Sequence, residues 1–237
     1  MEEIKARIEK LDWHAISEDM HRSGYAVIEH LITEEECKQL IELYDQKDIY
    51  RKTVVMARYR FGLGEYKYFN YPLPLLIHEI RTEVYRHLSP IANTWFRALK
   101  IDKMFPMEHS ELLKQCHDND QLKATPLILR YTEGDFNTLH QDLYGDVFFP
   151  IQMVLFLNDP EEDYSGGEFV LTQQIPRAQS KAIVLKPKRG DALIFTTSFK
   201  PEKGTKGYYR VNMKHGVSEV KSGIRHTLGI IFHDALS

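Results

Sequence analysis

The chain has 237 residues, of which 43% are hydrophobic and 27% charged, and a formal net charge of −3. That length builds one core better than two, so a single domain over residues 1–237 is expected. No apolar run reaches the roughly 18 residues of a membrane span, the opening MEEIKARIEK lacks a secretion signal's apolar stretch, and two cysteines (Cys37 and Cys116) suit a reducing compartment, so a cytoplasmic protein with no membrane contact is expected.

Ile4, Ile8, Leu11 and Ala15 recur at helical spacing and predict one helix over 2–22, stopped by Gly24. Tyr25 to Glu29 reads as a short strand. Thr33 followed by Glu36 forms a capping box, which predicts a second helix from Glu34 to about Tyr44. Residues 51–74 are rich in Tyr, Gly and Pro and read as irregular structure or short strands; their 58–71 part is either a lid or a packed loop. Helical spacing returns over Leu75 to Leu99, with a break expected near Ser89–Pro90 because proline cannot continue the ladder before it. The polar stretch 106–124 gives no assignment, and Cys116-His117-Asp118 within it reads as a loop, with no partner pair at zinc-finger spacing. Gly62-Leu63-Gly64 lacks the strand and helix that flank a phosphate loop.

From Pro126 the texture becomes β-rich. Runs at Leu127–Tyr131, Thr138–Leu143, Ile151–Leu157, Glu168–Thr172, Lys181–Leu185, Asp191–Phe195, Tyr208–Met213 and Thr227–Phe232 alternate with turn residues such as Glu133-Gly134-Asp135 and Ser165-Gly166-Gly167. About eight short strands in series predict a sandwich or jelly roll. The expected class is α+β: a helical half over 1–125 packed outside a β core over 126–237. Between Arg177 and Arg225 there are 12 Lys and Arg against only Asp191, Glu202 and Glu219. That imbalance fits either a solvated surface or a rim for an anionic substrate.

His140 and Asp142 sit two apart in a predicted strand, so their side chains share a face. His215, after a later strand and before a Gly-Val turn, supplies a candidate third arm. Two imidazoles and one carboxylate on one face of a metal leave its other positions open, the arrangement of non-haem Fe(II) oxygenases. Arg225, ten residues on, shares a face with Thr227. Its planar fork matches a carboxylate, and burying it calls for an anionic partner such as a dicarboxylate. His226 and His233 are competing metal candidates that more simply pack or hydrogen-bond. Asn137, Gln141 and Asn212 read either as groups behind the ligands or as ordinary strand polar residues.

This pattern of His-x-Asp, distant His, then Arg and a hydroxyl resembles the Fe(II)/2-oxoglutarate-dependent dioxygenase superfamily. Tyr131 to Gly134 ahead of His140, Leu155-Phe156-Leu157-Asn158-Asp159, Gly166-Gly167-Glu168 and Gly190 to Phe195 resemble segments of its prolyl-4-hydroxylase-like members. Gly24 to Ile28 and Glu36-Cys37 resemble the opening of such domains. The resemblance implies a double-stranded β-helix, Fe(II) on His140, Asp142 and His215, and 2-oxoglutarate and O2 as cosubstrates. It also implies 2-oxoglutarate binding by Arg225 and Thr227, with Tyr131 in its pocket, and release of succinate and CO2. Leu139 to Asp146, with Arg210-Val211-Asn212 and Gly229 to Asp234, is similar to a bacterial oxygenase family described as acting on alkylated DNA. Arg225 at ten residues beyond His215 and Leu129 two before Tyr131 follow the hydroxylase pattern instead of the AlkB-like one. The substrate therefore remains a small molecule, a protein side chain or a modified nucleic acid. A cupin-like metal-binding module or a non-oxidative metalloenzyme on the same barrel is the alternative, and Arg225 speaks against it.

Overall fold

The computed structural model describes residues 3–142 and 145–236. It opens with two helices where one was predicted, α1 (Ile4–Glu9) and α2 (Trp13–Ser23). Asp12 causes the split. Its carboxylate accepts from the Ala15 N–H at 3.0 Å and restarts the helix, so the buried stripe continues through Ile16 and Met20 and leaves Ala15 exposed. Gly24 stops α2 in the left-handed region, as expected. After β1 (Tyr25–Ile28), the Thr33–Glu36 capping box forms and starts α3 (Glu34–Glu42).

The Tyr-rich stretch resolves into β2 (Tyr50–Val55), β3 (Gly62–Leu63) and β4 (Glu65–Phe69). The long helix α4 (Leu75–Ala98) then runs through Pro90 without the expected break. A proline inside a helix costs about 3 kcal/mol. Burying one large apolar side chain returns about 1.5–3 kcal/mol, and Ile77, Ile80, Val84, Leu88, Trp95 and Phe96 of this helix are all buried. Packing therefore overrides the local break. Residues left unassigned hold α5 (His109–His117), whose last turn includes Cys116 and His117; the loop expected there is a helix end. His117 Nε2 lies 3.0 Å from the buried Asp234 carboxylate.

All eight β runs are present. They appear as β5 (Leu127–Tyr131), β6 (Phe136–His140), β7 (Ile151–Phe156), β9 (Phe169–Gln174), β10 (Lys181–Leu185), β11 (Ala192–Thr196), β13 (Gly207–Val217) and β15 (Arg225–Ile230). Three strands were not foreseen: β8 (Tyr164–Gly166), β12 (Phe199–Gly204) and β14 (Val220–Gly223). Leu143, at the end of the run expected over Thr138–Leu143, lies with Tyr144 outside the described residues, as does Glu2 of the first predicted helix.

The strands form two main antiparallel sheets. One has the order β1-β11-β7-β15-β5-β4-β2, and the other β10-β9-β13-β6-β3 with β12 beside β13. β7 is buried along its whole length because both its faces are covered. Ile151, Met153 and Leu155 join the helices in one core, while Val154 and Phe156 meet Phe169, Leu171, Val211 and Met213 between the sheets. Helices thus pack outside a jelly roll, and strands from the first half widen it at both edges. No helix among the described residues is long and apolar enough to cross a membrane.

The basic 177–225 stretch is paired in part. Arg189 meets Glu34, Glu162 and Asp163; Lys186 meets Glu168; Lys200 meets Glu202; Lys221 meets Glu219. Arg225 is inside the barrel.

Candidate metal centre and its cavity

His140 is the last residue of β6, and His215 lies directly opposite it, inside β13 and not after it. Asp142 follows two residues beyond the end of β6, so it reaches the site from past the strand and not from the strand face expected for it. The three side chains still converge. Their ligand atoms all fall within 4.8 Å of one another. One Asp142 oxygen is 3.5 Å from His140 Nε2 and the other is 3.3 Å from His215 Nε2.

The imidazoles are oriented by what surrounds them. His140 Nδ1 lies 2.8 Å from the Thr138 carbonyl oxygen, to which it donates, and this leaves the Nε2 lone pair toward Asp142. The His215 ring is stacked on Phe169 and tilted against Phe195. Burial, and next the neighbouring His215, hold the His140 imidazole below its ordinary pKa, which favours the neutral, metal-binding form. Two nitrogens and one carboxylate oxygen, with the rest of the coordination sphere facing a cavity, suit a ferrous ion.

That cavity measures about 280 Å³ and runs between the two sheets. Arg225 stands at one end of it, 1% exposed, with its Nε unpartnered and no ion pair among the described residues. Its guanidinium lies 5.5 Å from the ring centroids of Tyr131 and Phe156 and 5.9 Å from that of Tyr164. Thr227 Oγ1 is 3.5 Å from Arg225 Nη1 on the same wall. The Tyr131 hydroxyl is also buried and without a hydrogen bond of good geometry, although the Asn137 amide is near. Burial pushes Tyr131 up to about 12, so it stays protonated and can donate. Gly167, in the left-handed region, keeps this end open: a Cβ there would come within 3.0 Å of Arg225 Cδ.

The polar residues picked from the sequence divide. Asn137 lines the cavity. Gln141 also lines it and is tied down, its amide donating to the carbonyls of Ser198 and Met213. Of its two readings Asn212 takes the ordinary one: it is exposed, because it stands an odd number of residues from His215 and so faces outward. His226 turns away to Tyr44 and Asn158, and His233 Nδ1 accepts from the Phe149 N–H.

Three cavity residues escaped sequence reasoning. Gln152 is 6% exposed with its amide nitrogen unpartnered. Along β7 it lies two residues past Val154, toward the end of the cavity away from Arg225. Tyr66 and Tyr68 of β4 complete the wall, and burial, then the Asp142 carboxylate, raise the Tyr68 hydroxyl. A lone glutamine in an apolar run and two tyrosines in a presumed loop carry no spacing signal.

The architecture is that of 2-oxoglutarate-Fe(II) oxygenases, the double-stranded β-helix. A Pseudomonas putida prolyl-4-hydroxylase is 14% identical with a TM-score of 0.54, covering 92% of this chain and 97% of that one. A 2OG-Fe(II) oxygenase family oxidoreductase from Burkholderia pseudomallei is 14% identical with a TM-score of 0.56, covering 95% and 94%. Residues 64–235 match an oxygenase family described as catalysing oxidative methylation of damaged DNA. The chain belongs to that family and is an oxygenase, an oxidoreductase. Uncharacterized proteins from two Mycobacterium tuberculosis strains are 41% identical over 167 residues, which span 70% of this chain and 72% of theirs.

Proposed function

We propose that the protein is an iron(II)- and 2-oxoglutarate-dependent oxygenase that oxidises N-methyl groups on nucleic-acid bases. The observation that carries the cosubstrate is Arg225. A buried guanidinium without a counter-ion is costly unless a ligand completes it. It shares one cavity with the His140, Asp142 and His215 cluster, so a dicarboxylate spanning the two satisfies both.

In this reading His140, Asp142 and His215 hold the iron, with Thr138 fixing the His140 tautomer. Arg225 and Thr227 bind the far carboxylate of 2-oxoglutarate, and Tyr131 donates to it. Leu129, Val154 and Phe156 keep water from that end. Bound iron with 2-oxoglutarate and O2 supplies insertion of one oxygen atom into a substrate C–H bond, the other oxygen leaving in succinate as CO2 is released. The family's description supports damaged DNA as the substrate. Oxygen insertion into an N–CH3 group gives N–CH2OH, which collapses to N–H and formaldehyde. The chemistry therefore removes a methyl group; adding one would need a methyl donor that O2 does not supply.

Asp142→Ala removes the bridging carboxylate. It should abolish iron binding and succinate release from 2-oxoglutarate. Succinate released at the parent rate by this variant would remove the cluster from the mechanism.

A further inference from the structure

The tip between β2 and β3 carries two large aromatic rings in water. Tyr59 is 55% exposed and Phe61 44%, and their rings stack on each other at 5.5 Å and 18°. Two stacked rings left in water offer a flat apolar face to a ligand. Arg58 and Arg60 alternate with the rings along the chain, both exposed and in no ion pair among the described residues. From Ile49 to Gly64 the chain holds Arg51, Lys52, Arg58 and Arg60 and no acidic residue. This cationic tip interrupts a first half that is otherwise acidic.

The tip is fixed, and fixed to the metal-bearing strand. Thr138 donates both its N–H and its hydroxyl to the Phe61 carbonyl, each at 2.9 Å. Gly62 pairs with Asn137, and a Cβ at Gly62 would strike the Phe136 carbonyl oxygen at 2.2 Å, so only glycine lets β3 approach β6 this closely. Thr138 is also the residue whose carbonyl orients His140. Phe61 itself lines the cavity. Phe61 therefore sits at the cavity wall with Tyr59 stacked on it, and the segment that carries both is bonded to the strand ending in His140.

We propose that Tyr59 and Phe61 form a stacking platform for single-stranded nucleic acid, with Arg58 and Arg60 meeting its phosphates. Paired rings alternating with arginines take up bases through their π-faces and the backbone through charge, without reading sequence. The platform lies before residue 64, outside the stretch matched to the family. It rests on the nucleic-acid reading above and assigns that reading a place where a strand is held beside the cavity.

The test is fluorescence anisotropy of a labelled single-stranded DNA of mixed sequence with the full chain, without iron or 2-oxoglutarate. Binding is then read apart from oxygenase chemistry, so a failure of the iron and cosubstrate reading leaves this result standing, and succinate release from the parent tests that reading by itself. Each stacked base contributes about 1–3 kcal/mol, so the double variant Tyr59→Ala/Phe61→Ala should bind at least about tenfold more weakly. Arg58→Ala/Arg60→Ala should lower the slope of log affinity against log salt by about 1–2. Both pairs are exposed, and thermal unfolding verifies that the variants fold. No binding by the parent at concentrations up to about 100 µM would overturn the proposal. So would unchanged affinity in folded variants, or tighter binding of an acidic peptide than of the oligonucleotide.

Discussion

Arg225 is the residue on which the proposed cosubstrate site rests. Its charge faces aromatic rings and Thr227, with no carboxylate within reach among the described residues. Arg225→Ala should therefore weaken 2-oxoglutarate by roughly 100-fold, about 3 kcal/mol, the scale of a lost buried charge pair, and leave iron affinity nearly intact. Calorimetric titration of each ligand checks this; equal loss of both would contradict it. The residue was legible because its distance from His215 and its hydroxyl partner form a pattern. Gln152 was not, since one polar residue in an apolar strand has no periodicity of its own. The two readings of Asn212 could have been narrowed to the ordinary polar one from spacing alone: three residues from His215 on one strand is the opposite face.

Among elements, the β runs of the second half were visible because alternation and turn residues agree there. The misses have local causes. Asp12 splits a helix by capping, and Pro90 fails to split one because buried neighbours outweigh it. β12 contains Pro201 and among the described residues pairs only with β13, so it is an edge strand with weak β composition. The Gly166-Gly167-Glu168 turn was noticed, and the structure shows what its second glycine does. Gly167 has φ 62°, and an added Cβ would lie 2.9 Å from Val220 Cγ2 and 3.0 Å from Arg225 Cδ. Gly167→Ala should cost about 1–2 kcal/mol for the left-handed conformation alone, seen as a lower urea midpoint. It should also weaken 2-oxoglutarate by displacing Arg225, without weakening iron. An unchanged 2-oxoglutarate affinity would show that this turn does not position the guanidinium.

Across the whole molecule, buried imidazoles tie stability to pH. His109 is pushed down to about 3 and His226 and His233 to about 4, in each case by burial first and then by a nearby arginine, Arg81 for His109 and His233 and Arg130 for His226. All three are neutral in the folded chain near pH 7. The unfolded chain takes up a proton at each below about 6.5, so stability is full above that pH and falls as pH drops toward 4. Each imidazole should cost on the order of 2 kcal/mol between pH 6.5 and pH 5. Urea unfolding across that range measures it, and a flat profile would place these rings in water. The interior explains the slope: His233 Nδ1 accepts from the Phe149 N–H and cannot do so once protonated.

Central to the proposed function is one cavity that holds both a metal and a dicarboxylate. Iron(II) and 2-oxoglutarate added together to the parent chain without O2 test it most directly. Chelation of the metal by the cosubstrate should produce a visible metal-to-ligand charge-transfer band that iron alone does not give and that Asp142→Ala lacks. Iron bound by the parent with no such band at saturating 2-oxoglutarate would contradict the account.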